Sequence, residues 1–420
     1  MNADTSELAG TSRVLSAPTD RAPVGVPLRV LTMTTLFPSA ANARHGIFVE
    51  TRLRKLCASA SIDLRVVAPV PWFPFTWPIA GRYASYAATP RREQRYGIAV
   101  RHPRFVSIPH VGMAMQPVSL ASAAARAARE LSEEGWSCEV IDAHYLYPDG
   151  VAAAALARRL RRPFVVTARG SDVNLIAQMP APRRRIVAAL MQAGRVIAVS
   201  QALKDALIRI GVPGDRIEVL RNGVDLAVFK AVARESTRSR LDVGSAPLIA
   251  SVGNLVPEKG HDLVLQAARR IDSAHVVVVG QGPEKARLRA LADRLGISSR
   301  VRFVDNMAQD ELASLYSAAD VLALASLREG WPNVLLEAMA CGTPVVASAV
   351  GGVREIVTAP VAGELVARRD ENEFAAALQR VLEARPDRAA VRAHAAEFAW
   401  QPVVQRYHEI LLAVALGGRR

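Results

Sequence analysis

Short apolar runs rich in β-branched residues alternate with amphipathic stretches along the first half of the chain. The run 28–33 is followed by a helical pattern that opens after Gly46, and the next apolar run is 62–69. Strands that are apolar along their whole length are buried on both faces, so this order predicts a parallel sheet covered by helices. The later runs of the same series are 140–144, 163–168 and 195–200.

The alternation starts afresh after residue 245 and predicts a second parallel sheet. Residues 226–244 are charged and lack strong periodicity, so we interpret them as an interdomain linker. The sequence thus predicts an α/β protein with two doubly wound domains, 28–225 and 245–399, that face each other across a cleft. A C-terminal helix at about 400–416 is expected to return to the first domain. Ligands of such sheets bind beyond the carboxyl ends of the strands. The second series of apolar runs comprises 247–253, 275–280, 300–304, 320–325 and 343–348.

The composition of the chain start and the spacing of the cysteines favour a particular cellular compartment. Residues 1–27 are rich in Ala, Pro, Thr and Ser and have no long apolar core, so we expect a disordered leader rather than a signal peptide. No stretch reaches the roughly 18 uninterrupted apolar residues of a membrane-spanning helix. Cys57, Cys138 and Cys341 lie far apart and match no metal-binding spacing, which is typical of a reduced cytoplasmic compartment.

Positive charge is concentrated in the first half. The whole chain carries 53 basic and 39 acidic side chains, and residues 1–225 hold 29 and 17 of them. This imbalance favours an anionic membrane surface, a phosphorylated ligand or a nucleic acid as partner, whereas solvated arginines on ordinary helix faces are the alternative. Arg183, Arg184 and Arg185 form one basic cluster. The aromatic side chains of the proline-rich segment 71–78 suit a membrane interface, or they pack against the first sheet: Trp72, Phe73, Phe75 and Trp77.

The segment 326–348 carries the most specific pattern. Glu329 follows an apolar run, and Glu337 lies eight positions later in the next helical stretch. Carboxylates at these places can accept hydrogen bonds from sugar hydroxyls, although two solvated carboxylates are the alternative. Between them, a helix N-terminus offers unpaired backbone N–H groups to an anion. Those groups belong to Asn333, Val334 and Leu335.

The spacing of Glu329 and Glu337 resembles the E-x7-E motif of the retaining glycosyltransferases of family 4. The resemblance continues through 199–229, 251–267 and 277–307 and covers roughly 28–412. It implies the GT-B fold, with two Rossmann-like domains and the donor nucleotide held mainly by the second. The stretches HGIFVE and GSDVN look most like members that make exopolysaccharide or teichuronic acid.

The resemblance also implies roles on the donor side. Lys259 follows the first strand of the second domain, where its ammonium group can neutralise a diphosphate, although an ordinary surface lysine is the alternative. Asn254 stands where many members have arginine and offers hydrogen bonds without charge. Gly46 begins a helix that faces the cleft, so a phosphate can approach its backbone closely, although an ordinary turn glycine is the alternative.

Three residues are candidates for the acceptor side. His144 follows a strand end and by resemblance is a cleft histidine that contacts sugar hydroxyls; a buried core histidine is the alternative. Arg169 stands where many members have histidine, and because arginine cannot act as a base it is expected to bind charge. Asp172 either orients Arg169 or caps the following helix. The catalytic candidates are Glu329, His144 and Lys259.

These observations predict a retaining hexosyltransferase in cell-surface polysaccharide biosynthesis. It would move a sugar from a nucleotide-diphosphate sugar to a saccharide or polyprenyl-linked saccharide, on the inner face of the cytoplasmic membrane. No metal or other cofactor is expected, because the sequence contains no D-x-D. No nucleic-acid recognition motif is present. The alternatives are a GT-B sugar-nucleotide epimerase and a non-catalytic protein that binds nucleotide sugars.

Overall fold

The computed structural model describes residues 26–72, 82–107 and 112–418. In its first half, eight strands form one sheet in the order β10-β9-β8-β7-β1-β2-β5-β4, which is parallel except for the antiparallel pair β4 and β5. A separate small pair is formed by β3 and β6. The strands are β1 Leu28–Met33, β2 Ile62–Val67, β3 Val70–Pro71, β4 Arg92–Arg95, β5 Ile98–Arg101, β6 Arg104–Phe105, β7 Val140–His144, β8 Phe164–Ala168, β9 Arg195–Ala198 and β10 Ile217–Val219.

Helices cover both faces of this sheet. The strands β7 and β8 are buried at every position, as expected for parallel strands between two helical layers. The helices of this half are α1 Ile47–Ser59, α2 Arg82–Ala88, α3 Gln116–Glu133, α4 Val151–Leu160, α5 Ser171–Asn174, α6 Pro180–Leu190 and α7 Gln201–Arg209.

The second half contains a sheet of six parallel strands in the order β13-β12-β11-β14-β15-β16. These are β11 Leu248–Val252, β12 His275–Val279, β13 Val301–Val304, β14 Val321–Leu324, β15 Val345–Ser348 and β16 Gly363–Val366. The remaining helices are α8 Glu235–Leu241, α9 His261–Arg269, α10 Lys285–Arg294, α11 Gln309–Ala318, α12 Asn333–Ala340, α13 Val353–Ile356, α14 Glu371–Ala384, α15 Arg388–Ala396 and α16 Trp400–Gly417.

The chain crosses between the halves twice, and the two crossings lie side by side. Val224 pairs with Ala399 in an isolated β-bridge. Gly223 packs so tightly against Trp400 that an added Cβ would lie 2.7 Å from its Cα atom. The helix α16 then packs on the first half, where Tyr407 and Leu411 share a core with residues of α1 and β1.

The predicted α/β fold with two parallel sheets is confirmed, and each predicted apolar run contains a strand. The helix α3 and the pair β4–β5 were not predicted. Alanine marks a helical period only weakly, which hides α3, and the charged strand β4 lacks the apolar run of a buried strand. The expected linker 226–244 contains α8, whose Arg238 binds Asp320 of the second half.

Parts of two predictions fall outside the described residues. Of the expected leader, only Val26 and Pro27 are described, and Phe73, Phe75 and Trp77 of the aromatic segment are not. Among the helices that are described, none is long and apolar enough to cross a membrane.

Candidate active site

A cleft lies between the two halves at the carboxyl ends of their strands. It consists of two adjoining cavities of about 1130 and 840 Å³. Both cavities are lined by Asn254, Lys259, Glu329 and Trp331 of the second half and by Phe48 of the first. The cleft is therefore continuous past the Lys259–Glu329 pair and has room for an extended ligand.

Lys259 and Glu329 form an ion pair at the centre of the cleft. Lys259 Nζ lies 2.6 Å from Glu329 Oε1, which also accepts a hydrogen bond of 2.7 Å from Ser326 Oγ. Glu329 is 8% exposed. Lys259 ends a short turn before Gly260, whose left-handed φ of 67° and contact with the Ala325 carbonyl leave no space for a Cβ. This packing holds Lys259 against the loop after β14.

Glu337 and the start of α12 line the smaller cavity. Burial raises the pKa of Glu337 to about 7, and Tyr316 Oη donates to its Oε2 at 3.2 Å. Asn333 and Val334 line the same cavity. Leu335 was expected to join them, but it lines neither cavity. Its side chain is fully buried and its N–H donates to the Pro332 carbonyl at 3.2 Å, so it is not free for a ligand.

Asn254 and Gly46 lie on opposite walls. Asn254 is exposed and lines both cavities. Gly46 lines the larger cavity just before α1, with a φ of 73°. An added Cβ would lie 2.2 Å from the Leu36 carbonyl oxygen, so the turn itself requires glycine. Gly46 is thus a turn glycine that also lies on the cleft wall.

His144 lies under the cleft rather than in it. Its ring is fully buried, its Nδ1 accepts a hydrogen bond of 2.6 Å from Arg169 Nη2, and its Nε2 lies 3.0 Å from Asp142 Oδ2. Burial lowers its pKa to about 4, so the ring is neutral at pH 7. The geometry does not place His144 against substrate, and it corresponds to the alternative of a buried core histidine.

Arg169 and Asp172 differ in access to the cleft. Arg169 lines the larger cavity, its guanidinium group lies 5.1 Å from the centre of the Phe48 ring, and burial lowers its pKa to about 9. Asp172 is fully buried and accepts hydrogen bonds from four backbone N–H groups. Asp172 therefore fixes the loop instead of facing an acceptor. The four donors belong to Leu146, Arg169, Gly170 and Val173.

Comparison with known proteins identifies the family. The profile described as "Glycosyl transferases group 1" matches residues 233–398, and "Glycosyltransferase Family 4" matches residues 81–228. A D-inositol 3-phosphate glycosyltransferase of Mycolicibacterium gilvum is 34% identical over 397 residues, which cover 89% of this chain and 82% of that protein. The chain belongs to the family 4 glycosyltransferases.

The matches differ in extent. A D-inositol 3-phosphate glycosyltransferase of Mycobacterium avium is 41% identical, but the alignment covers 44% of this chain and 46% of that protein.

Solved structures support the GT-B fold. A sucrose-phosphate synthase of Thermosynechococcus elongatus has a TM-score of 0.75 at 23% identity, covering 92% of this chain and all of that one. The Anabaena protein HepE in complex with UDP and glucose has a TM-score of 0.72 at 22% identity, with the same coverage.

In this family 4 glycosyltransferase, a buried polar cluster lies beneath the wall of the cleft that the first half forms. The sequence did not predict this cluster. Arg52 is fully buried, and its guanidinium group lies 5.1 Å from the centre of the Tyr407 ring. Asp142 accepts hydrogen bonds from Tyr407 Oη at 2.6 Å and from Thr32 Oγ1 at 3.1 Å. Asp142 within the buried strand β7 was the available signal, because a charge there needs a buried partner. Arg52 looks like any helix-surface arginine in the sequence.

Polar contacts also join the two halves beside the cleft. Arg44 Nη1 donates to Asn306 Oδ1 at 3.1 Å across its mouth. Glu355 of the second half accepts backbone hydrogen bonds of 3.0 and 3.1 Å from Gln201 and Ala202 at the start of α7, and it pairs with Arg221 at 2.8 Å. These contacts hold the walls of the glycosyltransferase cleft in the observed arrangement.

Proposed function

We propose that this family 4 protein transfers a sugar from a nucleotide-diphosphate sugar to a saccharide acceptor. The observation that carries the proposal is the Lys259–Glu329 ion pair at the centre of a cleft that Glu337 and the start of α12 also line. The relatives are described as glycosyltransferases, and one neighbouring structure contains UDP and glucose.

In the proposed complex the second half holds the donor. The ammonium group of Lys259 leaves Glu329 for the diphosphate and stabilises the negative charge that grows on it as the sugar departs. Glu329 then accepts hydrogen bonds from sugar hydroxyls, and Glu337 from the ribose. The N-terminus of α12 at Asn333 and Val334 and the amide of Asn254 supply further donors for the phosphates. The resemblance to retaining enzymes supports transfer with retention, in which the leaving phosphate takes the acceptor proton.

The acceptor is proposed to be a saccharide, and a lipid-linked saccharide in particular, in cell-surface polysaccharide biosynthesis. A phosphorylated polyol is the second candidate. It is favoured by the printed name of the relatives and by the cationic side chains of Arg44 and Arg169 along the larger cavity. Including inositol phosphate beside oligosaccharides in one assay separates these two candidates.

A surface of the first half suits attachment to an anionic membrane. Trp72, Val106, Met115 and Val118 are between 58% and 66% exposed. Two hydrogen bonds show that they adjoin: Trp72 N–H donates to the Phe105 carbonyl, and Val106 N–H donates to Ser119 Oγ. The basic helix α6 contacts the same surface, since the Arg185 side chain binds the Ala114 carbonyl. Apolar side chains beside arginines are the chemistry of interfacial binding.

Vesicle binding tests this attachment. We expect the protein to sediment with phosphatidylglycerol vesicles and high salt to release part of it, since each basic residue contributes about 1 kcal/mol and salt screens that term. Replacing Arg183, Arg184 and Arg185 by serine should reduce the salt-sensitive part, and Met115→Ser the salt-resistant part. No sedimentation at low salt would overturn the proposal for the membrane and leave the transfer proposal intact.

A donor panel tests the transfer. The protein is incubated with UDP-, GDP- and ADP-sugars, with and without saccharide acceptors, and the released nucleoside diphosphate is measured. Acceptor-dependent release is expected with one of the nucleotides. An epimerised sugar formed without acceptor would favour the epimerase, and donor binding without turnover a non-catalytic protein. Nuclear magnetic resonance of the product's anomeric centre decides between retention and inversion.

A further inference from the structure

Asn222 lies where the chain leaves the first half for the second. It is 4% exposed and directly precedes Gly223 and Val224, which pack against the returning segment at Trp400 and Ala399. Asn222 does not line either of the two cavities of the cleft. Any effect of this residue on a bound donor must therefore act through its neighbours.

On the first-half side, two arginines converge on one amide oxygen. Asn222 Oδ1 accepts hydrogen bonds of 2.8 Å from Arg52 Nη2 and 3.1 Å from Arg169 Nη1. Arg52 is itself fixed, because it also donates to the Leu220 carbonyl at 3.2 Å and faces the Tyr407 ring. Charge-assisted hydrogen bonds in a buried setting are strong, so the side chain of Asn222 is held firmly against the first half.

On the second-half side, Asn222 binds both residues that flank Pro332. Its Nδ2 donates to Asn333 Oδ1 at 3.2 Å, and its backbone carbonyl accepts a hydrogen bond of 3.1 Å from Trp331 Nε1. Asn333 is the first residue of α12. The segment that Asn222 holds is thus the one that runs between Glu329 and Glu337.

We infer that Asn222 is a positioning residue that sets the start of α12 against the first half and so orders the donor-binding wall. The inference rests on the proposed function, in which that wall binds the nucleoside diphosphate. Asn222 connects a fixed pair of arginines in one half to the donor segment of the other. An asparagine serves both sides because its amide oxygen accepts from the arginines while its amide nitrogen donates to Asn333.

A double-mutant cycle tests this inference. Binding of UDP, GDP and ADP is measured by calorimetry for the full-length native protein, Asn222→Ala, Asn333→Ala and the double variant. We expect Asn222→Ala to weaken binding of the preferred nucleotide about 3- to 10-fold, the range of one hydrogen bond. The same substitution should change binding by less than about 2-fold when Asn333 is already alanine. In that background the side-chain hydrogen bond from Asn222 to the start of α12 is already absent. Asn372, which is exposed and lines neither cavity, provides the matched control Asn372→Ala.

The outcomes separate this inference from the proposed function. If the native protein binds none of the three nucleotides, the proposed function fails. If it binds one and Asn222→Ala binds equally well, or the loss is the same in both backgrounds, the positioning role alone is overturned. In turnover, the KM for the donor should rise while kcat changes less, a split that a general loss of stability would not produce. Asn222→Ser is measured under the same criteria in case Asn222→Ala does not fold.

Discussion

The two halves share a scaffold but use the polar residues at their strand ends differently. In the second half, Lys259, Glu329 and Glu337 line the cleft. In the first half, His144 and Asp172 are fully buried and bind other parts of the same half. Strand ends at a cleft therefore supply two kinds of polar residue, and access to the cleft decides which of them can bind a substrate.

The buried polar residues of the first half hold loops in place. Asp149 is fully buried and accepts hydrogen bonds from the Thr35 N–H at 2.6 Å and from the Thr34 and Thr35 hydroxyls at 3.3 and 3.0 Å. Burial raises its pKa to about 7 in spite of these bonds. Substitutions in this group should change stability, whereas substitutions on the second-half wall should change donor binding and turnover.

The largest expected effect is that of Lys259→Met. Loss of the ammonium group removes charge stabilisation of the diphosphate, so kcat/KM should fall by an amount corresponding to about 2–4 kcal/mol. Stability should fall less, because the buried Glu329 keeps the hydrogen bond from Ser326 Oγ when the ammonium group is removed. Steady-state kinetics and thermal unfolding of the same samples measure both quantities.

Lys204→Met is the matched control for this substitution. Lys204 lies on α7 and does not line either cavity. Its replacement should leave kcat/KM unchanged. Equal activity of native protein and Lys259→Met would contradict the placement of Lys259 in the donor site. It would also contradict the proposed difference between the two walls of the cleft.

Glu337→Gln is expected to have the next largest effect. Weakened hydrogen bonds to the ribose should cost about 1–3 kcal/mol of nucleoside diphosphate affinity at pH 8. Because the pKa of Glu337 is raised to about 7, the native carboxylate is protonated below that pH, so native affinity should decrease as the pH falls from 8 to 6. The nucleotide affinity of the glutamine variant should not show this decrease between pH 8 and pH 6.

Stability provides an independent check on the same carboxyl group. A raised pKa in the folded state means that its contribution to stability is present at low pH and is lost as the pH rises through about 7. Urea unfolding of native protein and Glu337→Gln at pH 5 and pH 8 measures this difference. A pH-independent difference, together with unchanged nucleotide affinity, would contradict the assigned role.

His144→Gln probes the first-half wall, where we expect a change in stability. The shorter reach of the amide disturbs the contacts of Arg169 and Asp142, so the free energy of unfolding should fall by about 1–2 kcal/mol. The pKa of His144 is lowered in the folded state, so its contribution is present above the unfolded value and is lost as the pH falls towards 4. The native stability should therefore decrease more steeply than that of the variant between pH 6.5 and 4.

His408→Gln, on the helix α16, is the control for that experiment. It should leave both stability and turnover close to native. A large loss of kcat in His144→Gln at unchanged stability would instead support the catalytic role that the resemblance implied for His144.

The fold could be predicted from sequence because buried parallel strands have an unmistakable composition. β8 and β12 are almost purely apolar, and turns and amphipathic helices lie between such runs. The second-half site was also within reach, since Glu329 and Glu337 stand on either side of a helix start and the motif fixes their spacing. Local sequence contains enough information there because the site is built from one short segment.

The first-half wall could not be predicted in the same way. Whether His144 reaches the cleft depends on Arg169 and Asp142, and Arg52 is buried by Tyr407, which lies more than 350 positions away on α16. Similarly, the N–H of Leu335 is occupied because the first turn of α12 closes on Pro332. Side-chain direction at a strand end is a property of tertiary packing, which residue spacing does not encode.

The smallest expected effect concerns metal ions. We expect turnover to be the same after dialysis against EDTA, with and without added Mn²⁺, because Lys259 supplies the positive charge at the diphosphate. Residues 26–72, 82–107 and 112–418 contain no cluster of three His, Cys, Asp or Glu side chains suited to a metal ion. Loss of activity that Mn²⁺ restores would contradict this prediction. Glu258 and Asp305, the other carboxylates of the larger cavity, would then be the residues to replace next, although Asp305 is already paired with Lys285.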